Sequence, residues 1–136
     1  MSLLSPPPYP SNRAIGAVRI IFGLLVVYHG HEVFRPDIMA TYFDWDIFKT
    51  SSGKFLVYAG KASEFIAGVL LTLGLFTRIG ALLGIGTFCY ITFMVGNGRF
   101  WYEDQHPFMF ALFGLLFLLT GPGAWSMDRI LFRSRS

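Results

Sequence analysis

Four ionisable side chains lie within, or at the end of, long apolar stretches of the sequence. They are Arg19, His29, Lys61 and Glu64. An ionised group in apolar surroundings costs several kcal/mol unless it is paired, so such residues usually have a role. His29 follows Arg19 by ten residues, which places both within one broad helix face. The helix rise puts His29 at about the depth of Glu64. We therefore expect a polar cluster of these four residues inside an otherwise apolar bundle.

A cluster of this composition is suited to a proton relay or to a quinone headgroup site. A quinone site needs an apolar slot, a His or carboxylate to exchange protons, and a cation to favour the reduced oxygen. A buried ion pair that fixes helix register is a structural alternative of equal weight. Lys61, three residues earlier on the same helix, and Arg19, from a facing helix, are competing partners for Glu64. The sequence leaves this choice open.

A second group of ionisable residues is predicted at the outer surface. It consists of His31 and Glu32 after the first apolar run, and of Glu103, Asp104 and His106 before the last. Histidine and carboxylate together suit a transition metal. The spacing is not that of a known metal site, however, and no CxxCH motif is present for haem attachment. We therefore expect solvated loop residues with interfacial hydrogen bonds, and no metal or haem.

These side chains are positioned by four apolar runs, at about 14–30, 55–76, 79–96 and 104–120. A membrane-crossing helix needs about 20 residues, with a range of about 17–25. The first three runs qualify. The fourth qualifies only if its helix starts upstream, near residues 100–104, and otherwise predicts a re-entrant or interfacial helix. The predicted fold is an all-α integral membrane four-helix bundle over residues 14–131.

The composition supports lipid as the solvent. Of 136 residues, 54% are hydrophobic and only 14% are charged, against about 25% charged residues in soluble domains. This length and composition exclude a large multi-domain enzyme and a disordered chain.

Cys89 is the single cysteine, which excludes a disulfide within the chain and a Cys-rich metal site. The net charge is +3. In a membrane protein, basic residues more often set the topology than bind nucleic acid.

Three further segments surround the apolar runs. Residues 1–13 contain four closely spaced prolines and predict an extended arm. Residues 132–136 form a basic tail. The longest connection, 31–54, predicts a short interfacial helix between the first two membrane helices, or a lid folded back over the bundle. The second and third runs are joined only by Thr77-Arg78, which predicts a tight antiparallel hairpin.

Four crossings place both termini on the same side of the membrane. Basic residues near the C-terminal end of the last helix, namely Arg129, Arg133 and Arg135, indicate that this side is the cytoplasm. The predicted protein is therefore multi-pass with both termini cytoplasmic.

Small residues are expected at the helix contacts, because transmembrane helices associate through close approach rather than through a hydrophobic driving force. The glycines assigned to helix packing are Gly16, Gly23, Gly60, Gly68, Gly80 and Gly84.

The sequence resembles the DoxX family over about residues 13–131. The motifs that carry the resemblance are Arg19-x-x-Phe22-Gly23, His29-Gly30, Glu64-x-x-x-Gly68, Gly74-Leu75-x-Thr77-Arg78-x-Gly80-Ala81 and Gly121-Pro122-Gly123-x-x-Ser126-Met127-Asp128. The hairpin and tail motifs are specific in combination, and each is weak by itself. The resemblance implies a small four-helix protein of the bacterial cytoplasmic (inner) membrane.

The resemblance also implies an association with redox systems. Namesakes of the family are linked to quinone-dependent oxidation of sulfur compounds, and other members accompany oxidative-stress or metal-related proteins. Branches that support disulfide formation depend on cysteine pairs, which this chain lacks. The matching Arg19 and Glu64 are carried over as important positions without an assigned role, since members commonly have no reaction of their own.

Three functional hypotheses follow. The first is a redox-associated accessory subunit that contacts quinone. The second is a non-enzymatic scaffold that packs against larger membrane partners or copies of itself. The third is a small transporter or proton conductor, which four short helices disfavour unless they oligomerise. The bilayer is an expected partner in all three, and nucleic acid in none.

Overall fold

The computed structural model describes Leu4 and residues 12–132, and all regular structure in this part of the chain is helical. The helices are α1 (Asn12–Gly30), α2 (Pro36–Phe43), α3 (Gly53–Leu73), α4 (Thr77–Tyr90), α5 (Gln105–Thr120) and α6 (Met127–Leu131). Short 3-10 turns follow α1 (His31–Phe34) and α2 (Asp46–Phe48), and a π-helical turn, Ile91–Val95, extends α4. The predicted proline-rich arm lies outside the described residues, apart from Leu4 and the residues Asn12 and Arg13 that begin α1. The predicted basic tail also lies outside them after Phe132.

Three helical stretches are long and apolar enough to cross a membrane. They are Asn12–Phe34 with 23 residues, Gly53–Leu73 with 21 and Thr77–Val95 with 19. Apolar side chains also cover the outward faces of these helices, where Ile21, Phe55 and Ile79 are more than half exposed. A helix that is apolar on all sides is typical of a lipid-surrounded bundle.

The fourth apolar helix, α5, is shorter than predicted for a full crossing. It has 16 residues, or about 24 Å at about 1.5 Å per residue, against a bilayer core of about 30 Å. The upstream start that a crossing required is absent, because residues 100–104 form turns and α5 begins only at Gln105. The Asp104 carboxylate then accepts hydrogen bonds from the main-chain N–H groups of Asn97 and Arg99, which holds residues 97–104 as a loop.

The long helices form a bundle in chain order, with α1 against α3, α3 against α4, and α4 against α5. On α1 and α3, Gly23 lies beside Thr72, and Gly30 lies beside Phe65. Residue numbers therefore increase along α1 as they decrease along α3, so the two helices are antiparallel. At the bundle centre the Phe110 ring meets those of Phe22 and Phe88, at centroid distances of 5.3 and 5.0 Å.

The turn between α3 and α4 lies three residues earlier than predicted. Gly74, at φ 65°, ends α3 in a left-handed conformation, and the Leu75 N–H reaches back to the Leu70 carbonyl, as in a Schellman motif. Thr77 and Arg78 are therefore not the connection but the first turn of α4. The Asp128 carboxylate accepts from the N–H groups of Phe76 and Thr77 at 2.6 and 2.8 Å, and so caps α4 from the C-terminal segment.

The segment 31–54 folds back onto the bundle instead of extending away from it. Met39 of α2 is fully buried, and it forms a small core with Phe48 and Val57. Val95 at the end of the π-helical turn packs against this core. The segment thus covers one end of α3 and α4, as in the lid interpretation. We call this the α2 end of the bundle, and the opposite end the tail end.

The predicted packing glycines differ in their surroundings. A Cβ on Gly16, Gly23 or Gly68 would collide with main-chain atoms, and one on Gly80 would lie 3.0 Å from the Leu70 side chain. No described atom lies within 4 Å of a Cβ built on Gly60 or Gly84. The prediction of close packing therefore fails at these two glycines. Gly60 faces an open space where α3 and α4 diverge toward the α2 end, whereas Gly84 is buried with no described atom against its Cβ position.

Candidate functional site

A cavity of about 530 Å³ lies where α3 and α4 diverge. Ligand pockets commonly have volumes of about 300–1,000 Å³. The walls are apolar for most of their extent, and Gly60 of α3 and Gly86 of α4 contribute no side chain to them. Ile91 and Val95 of the π-helical turn also line the cavity, and such turns occur often at functional sites. The lid segment contributes the aromatic rings of Tyr42, Trp45 and Phe48.

An ion-pair network forms the polar end of this cavity. The Lys61 ammonium lies 3.0 Å from Glu32 Oε2 and 3.2 Å from Glu64 Oε2. It also donates to the main-chain carbonyl of His29 at 3.5 Å. Glu64 is almost fully buried, with 3% of its side chain exposed. The structure thus pairs Glu64 with Lys61, one of the two partners that the sequence left open.

Tyr42 of the lid joins the network. Its hydroxyl donates to Glu32 Oε2 at 2.6 Å, and the Lys61 ammonium lies 5.0 Å from the centre of its ring. Burial of the phenol and its hydrogen bond to Glu32 raise the pKa of Tyr42 above its usual value. Sequence reasoning missed Tyr42 as a site residue. It lies in the segment 31–54, for which the sequence predicted an interfacial helix or a lid and no site residue beyond Glu32.

The raised pKa of Tyr42 predicts a specific pH dependence. Because the folded state holds the phenolic proton more tightly than the unfolded chain does, this hydrogen bond stabilises the fold below about pH 10, the usual pKa of tyrosine. That stability is lost as the pH rises through the raised pKa. NMR of isotope-labelled tyrosine, assigned with Tyr42→Phe, should show Tyr42 titrating above the usual tyrosine pKa of about 10. Glu32→Gln should lower the Tyr42 pKa part of the way, since burial remains. A Tyr42 pKa at or below that usual value in wild-type protein would contradict this prediction.

Two histidines form a further part of the polar end. The rings of His29 and His106 lie 5.4 Å apart, and both contact Phe110. Both histidines line the cavity, and His106 is also exposed at the surface. An imidazole can take up or release a proton near neutral pH, so this pair connects the cavity to solvent.

Arg19 does not belong to this cluster. Its guanidinium is fully buried at the tail end, where it donates to the carbonyls of Leu71 at 2.9 Å, Ala124 at 3.1 Å, Trp125 at 2.8 Å and also Pro122. The predicted four-residue cluster is therefore divided. Arg19 lies near the tail end of α1, where its side chain reaches the carbonyls of the C-terminal segment directly. To meet Glu64 it would have to extend along the helix axis toward the α2 end.

The predicted outer-surface group is likewise divided. Glu32 pairs with Lys61 behind the cavity wall, and His106 lines the cavity. His31 makes a local hydrogen bond with the Tyr28 carbonyl. Glu103 accepts from Asn97 and pairs with Arg99, while Asp104 holds the loop before α5. In the described part of the chain, no three His, Cys, Asp or Glu side chains are grouped so that they could hold a metal ion.

The comparisons with known proteins gave one match. A search of curated proteins and a search of solved structures found none. The family model described as DoxX matches residues 14–97, which include α1, the lid, α3, α4 and the π-helical turn. The matched region thus contains Lys61, Glu64 and most of the cavity wall. The chain belongs to the DoxX family.

Proposed function

We propose that this protein binds the headgroup of a lipid-soluble quinone in the cavity between α3 and α4. The observation that carries the proposal is the combination of an apolar cavity of about 530 Å³ with a polar end formed by Glu64, Lys61, His29 and His106. A quinone has the matching form, with a flat polar ring and a long apolar tail. The ring would lie against the polar end, and the tail would leave between α3 and α4.

The proton chemistry of a quinone supports the same site. Reduction of a quinone takes up two protons, and oxidation releases them, so a group that exchanges protons must lie close to the ring. His29 lies in the cavity wall, and its neighbour His106 reaches the surface. Glu64 supplies a carboxylate at the same end.

We propose a redox-associated accessory role in a membrane complex of the bacterial cytoplasmic membrane. Electrons must reach or leave the ring through a redox partner, which would be another subunit. The proposed topology keeps four crossings and both termini in the cytoplasm. Although α5 is short, it is proposed as the fourth crossing because it runs from His106, beside His29 at the α2 end, to the segment that contacts Asn12 at the tail end. In the sequence, five basic residues flank the side assigned to the cytoplasm, Arg13, Arg78, Arg129, Arg133 and Arg135, against four on the other side, Arg35, Lys49, Lys54 and Arg99. This excess of one supports the orientation under the positive-inside rule.

Filling the cavity tests the proposal. We expect wild-type protein extracted in mild detergent to retain a lipid-soluble quinone, detected by solvent extraction and mass spectrometry. Gly86→Leu places an apolar side chain in the cavity and should lower the retained quinone by on the order of tenfold, since even one clashing side chain costs about 1–3 kcal/mol.

Ala17→Leu is the matched control, because it adds a similar apolar group to an exposed position on α1. It should retain as much quinone as the wild type. Wild-type protein that copurifies with a larger membrane protein but carries no quinone would overturn the proposal and favour the scaffold hypothesis.

A further inference from the structure

Three of the donor groups in the cavity wall, on Lys61, Tyr42 and Thr87, are already engaged. An ammonium group has three N–H donors, and Lys61 lies within hydrogen-bonding reach of three acceptors, on Glu32, Glu64 and the main chain of His29. The Tyr42 hydroxyl donates to Glu32, and the Thr87 hydroxyl donates to the Leu83 carbonyl. None of these groups keeps a proton for a ligand carbonyl without breaking an existing bond.

An acceptor at the same end remains open. Glu64 binds Lys61 through Oε2, while its Oε1 accepts no hydrogen bond from the described residues. The side chain lines the cavity although only 3% of it is exposed. A carboxylate in an ion pair accepts hydrogen bonds and donates none. Glu64 therefore presents an unsatisfied acceptor to any occupant of the cavity.

The other polar groups in the wall do not offset this excess of acceptors over free donors. Ser63, His29 and His106 line the cavity, and a hydroxyl or a neutral imidazole can both donate and accept. The network itself contains two carboxylates and one ammonium, which leaves a formal charge of −1. The polar end thus favours a ligand that brings its own hydrogen-bond donors.

We infer that the cavity prefers the reduced, dihydroxy form of the ring, a hydroquinone, to the oxidised dicarbonyl form. The inference rests on the proposed function and names the redox state that the site selects. A hydroquinone hydroxyl donates to Glu64 Oε1 and satisfies it. A quinone carbonyl at the same position places two acceptors together and leaves both unpaired, which is unfavourable in a buried site.

The test compares the two redox forms of one probe. A decyl-substituted benzoquinone and its hydroquinone are titrated anaerobically into the purified full-length protein, and binding is followed by quenching of tryptophan fluorescence, since Trp45 lines the cavity. We expect the hydroquinone to bind about 10- to 100-fold more tightly, from the usual strength of a hydrogen bond to a charged group. A tenfold preference corresponds to a rise of about 30 mV in the midpoint potential of the bound couple.

Glu64→Gln should remove or reverse the preference, because the amide nitrogen can donate to a carbonyl. Glu103→Gln, which neutralises a carboxylate in the loop before α5, should keep it. Equal binding of both forms to the wild type would overturn the inference and leave the proposed function standing. A preference that survives in Glu64→Gln would overturn the role of Glu64. Absence of binding by either form would overturn the proposed function and the inference together.

Discussion

Arg19→Met is expected to prevent recovery of folded protein. The substitution removes four hydrogen bonds and leaves the carbonyls of Pro122, Ala124 and Trp125 without the arginine donor, while that of Leu71 keeps the Gly74 N–H. An unsatisfied buried polar group costs about 1–3 kcal/mol, so the combined loss is on the order of the whole stability of a typical domain, about 5–15 kcal/mol. Size-exclusion chromatography in mild detergent should show aggregate in place of a single species.

Arg19→Lys should recover little of this loss, because an ammonium cannot reproduce the planar fork that reaches several carbonyls at once. The control is Arg13→Met, which removes an exposed arginine from the same helix and should behave as wild type. Arg19→Met protein that elutes as a single species and melts within a few degrees of wild type would show that this bond network does not stabilise the bundle.

Two Gly→Ala substitutions are expected to have effects of opposite sign. A Cβ on Gly68 would lie 2.5 Å from the main-chain nitrogen of Val27, so α1 and α3 must separate. Overpacking of this kind costs about 1–3 kcal/mol, and Gly68→Ala should lower the melting temperature by several degrees. At Gly84 the same methyl group meets no described atom within 4 Å. Gly84→Ala should therefore stabilise α4 by about 0.5–1 kcal/mol.

Each variant is the matched control for the other. Both positions are interior to long helices, so the gain in helix propensity is the same, and the difference between the two melting temperatures measures the steric clash. Thermal unfolding of the two purified variants in one detergent is the measurement. Equal shifts for both would contradict the assignment of Gly68 to a close helix contact.

The C-terminal segment connects three parts of the bundle. Its carbonyls hold Arg19 of α1, its Asp128 caps α4, and the Ala124 N–H donates to the Asn12 carbonyl at 2.8 Å. The Asp128 N–H also donates to the Gly74 carbonyl at 2.9 Å. The hairpin motif, which begins at Gly74, and the tail motif, which ends at Asp128, therefore contact each other directly, although about fifty residues separate them in sequence.

The helices themselves were predictable from the sequence. The bounds of α1, α3 and α4 with its π-helical turn agree with the apolar runs to within three residues, because the apolar run is a local property of each segment. The turn before α4 was misplaced, since Gly74 and Phe76 adopt positive φ angles that depend on the Asp128 cap. The bounds of α5, Gln105–Thr120, agree with the predicted 104–120 to within one residue. Asp104 binds backward to the loop, so the helix does not extend further upstream.

The composition of the site was predictable only in part. Glu64, Lys61 and His29 stand out because charged and imidazole groups are rare in apolar runs, and these three do come together. Tyr42 and His106 join them through the folding of the lid and of α5, which no local pattern shows. Arg19 was assigned to the same cluster on grounds of helix rise and side-chain length, yet its partners lie up to 106 residues away in sequence.

The sequence by itself determined that this chain forms apolar helices, where they lie, and which few residues carry charge within them. These properties depend on residue type and on spacing along one helix. Only the tertiary structure decided which charge meets which partner, and whether a glycine marks a contact or a space. Gly68 and Gly84 were both predicted at helix contacts, but a Cβ on the first would collide with α1, whereas a Cβ on the second would meet no described atom within 4 Å. The physical reason is that an ion pair or a close contact requires two segments to approach, and that approach depends on the packing of the whole bundle.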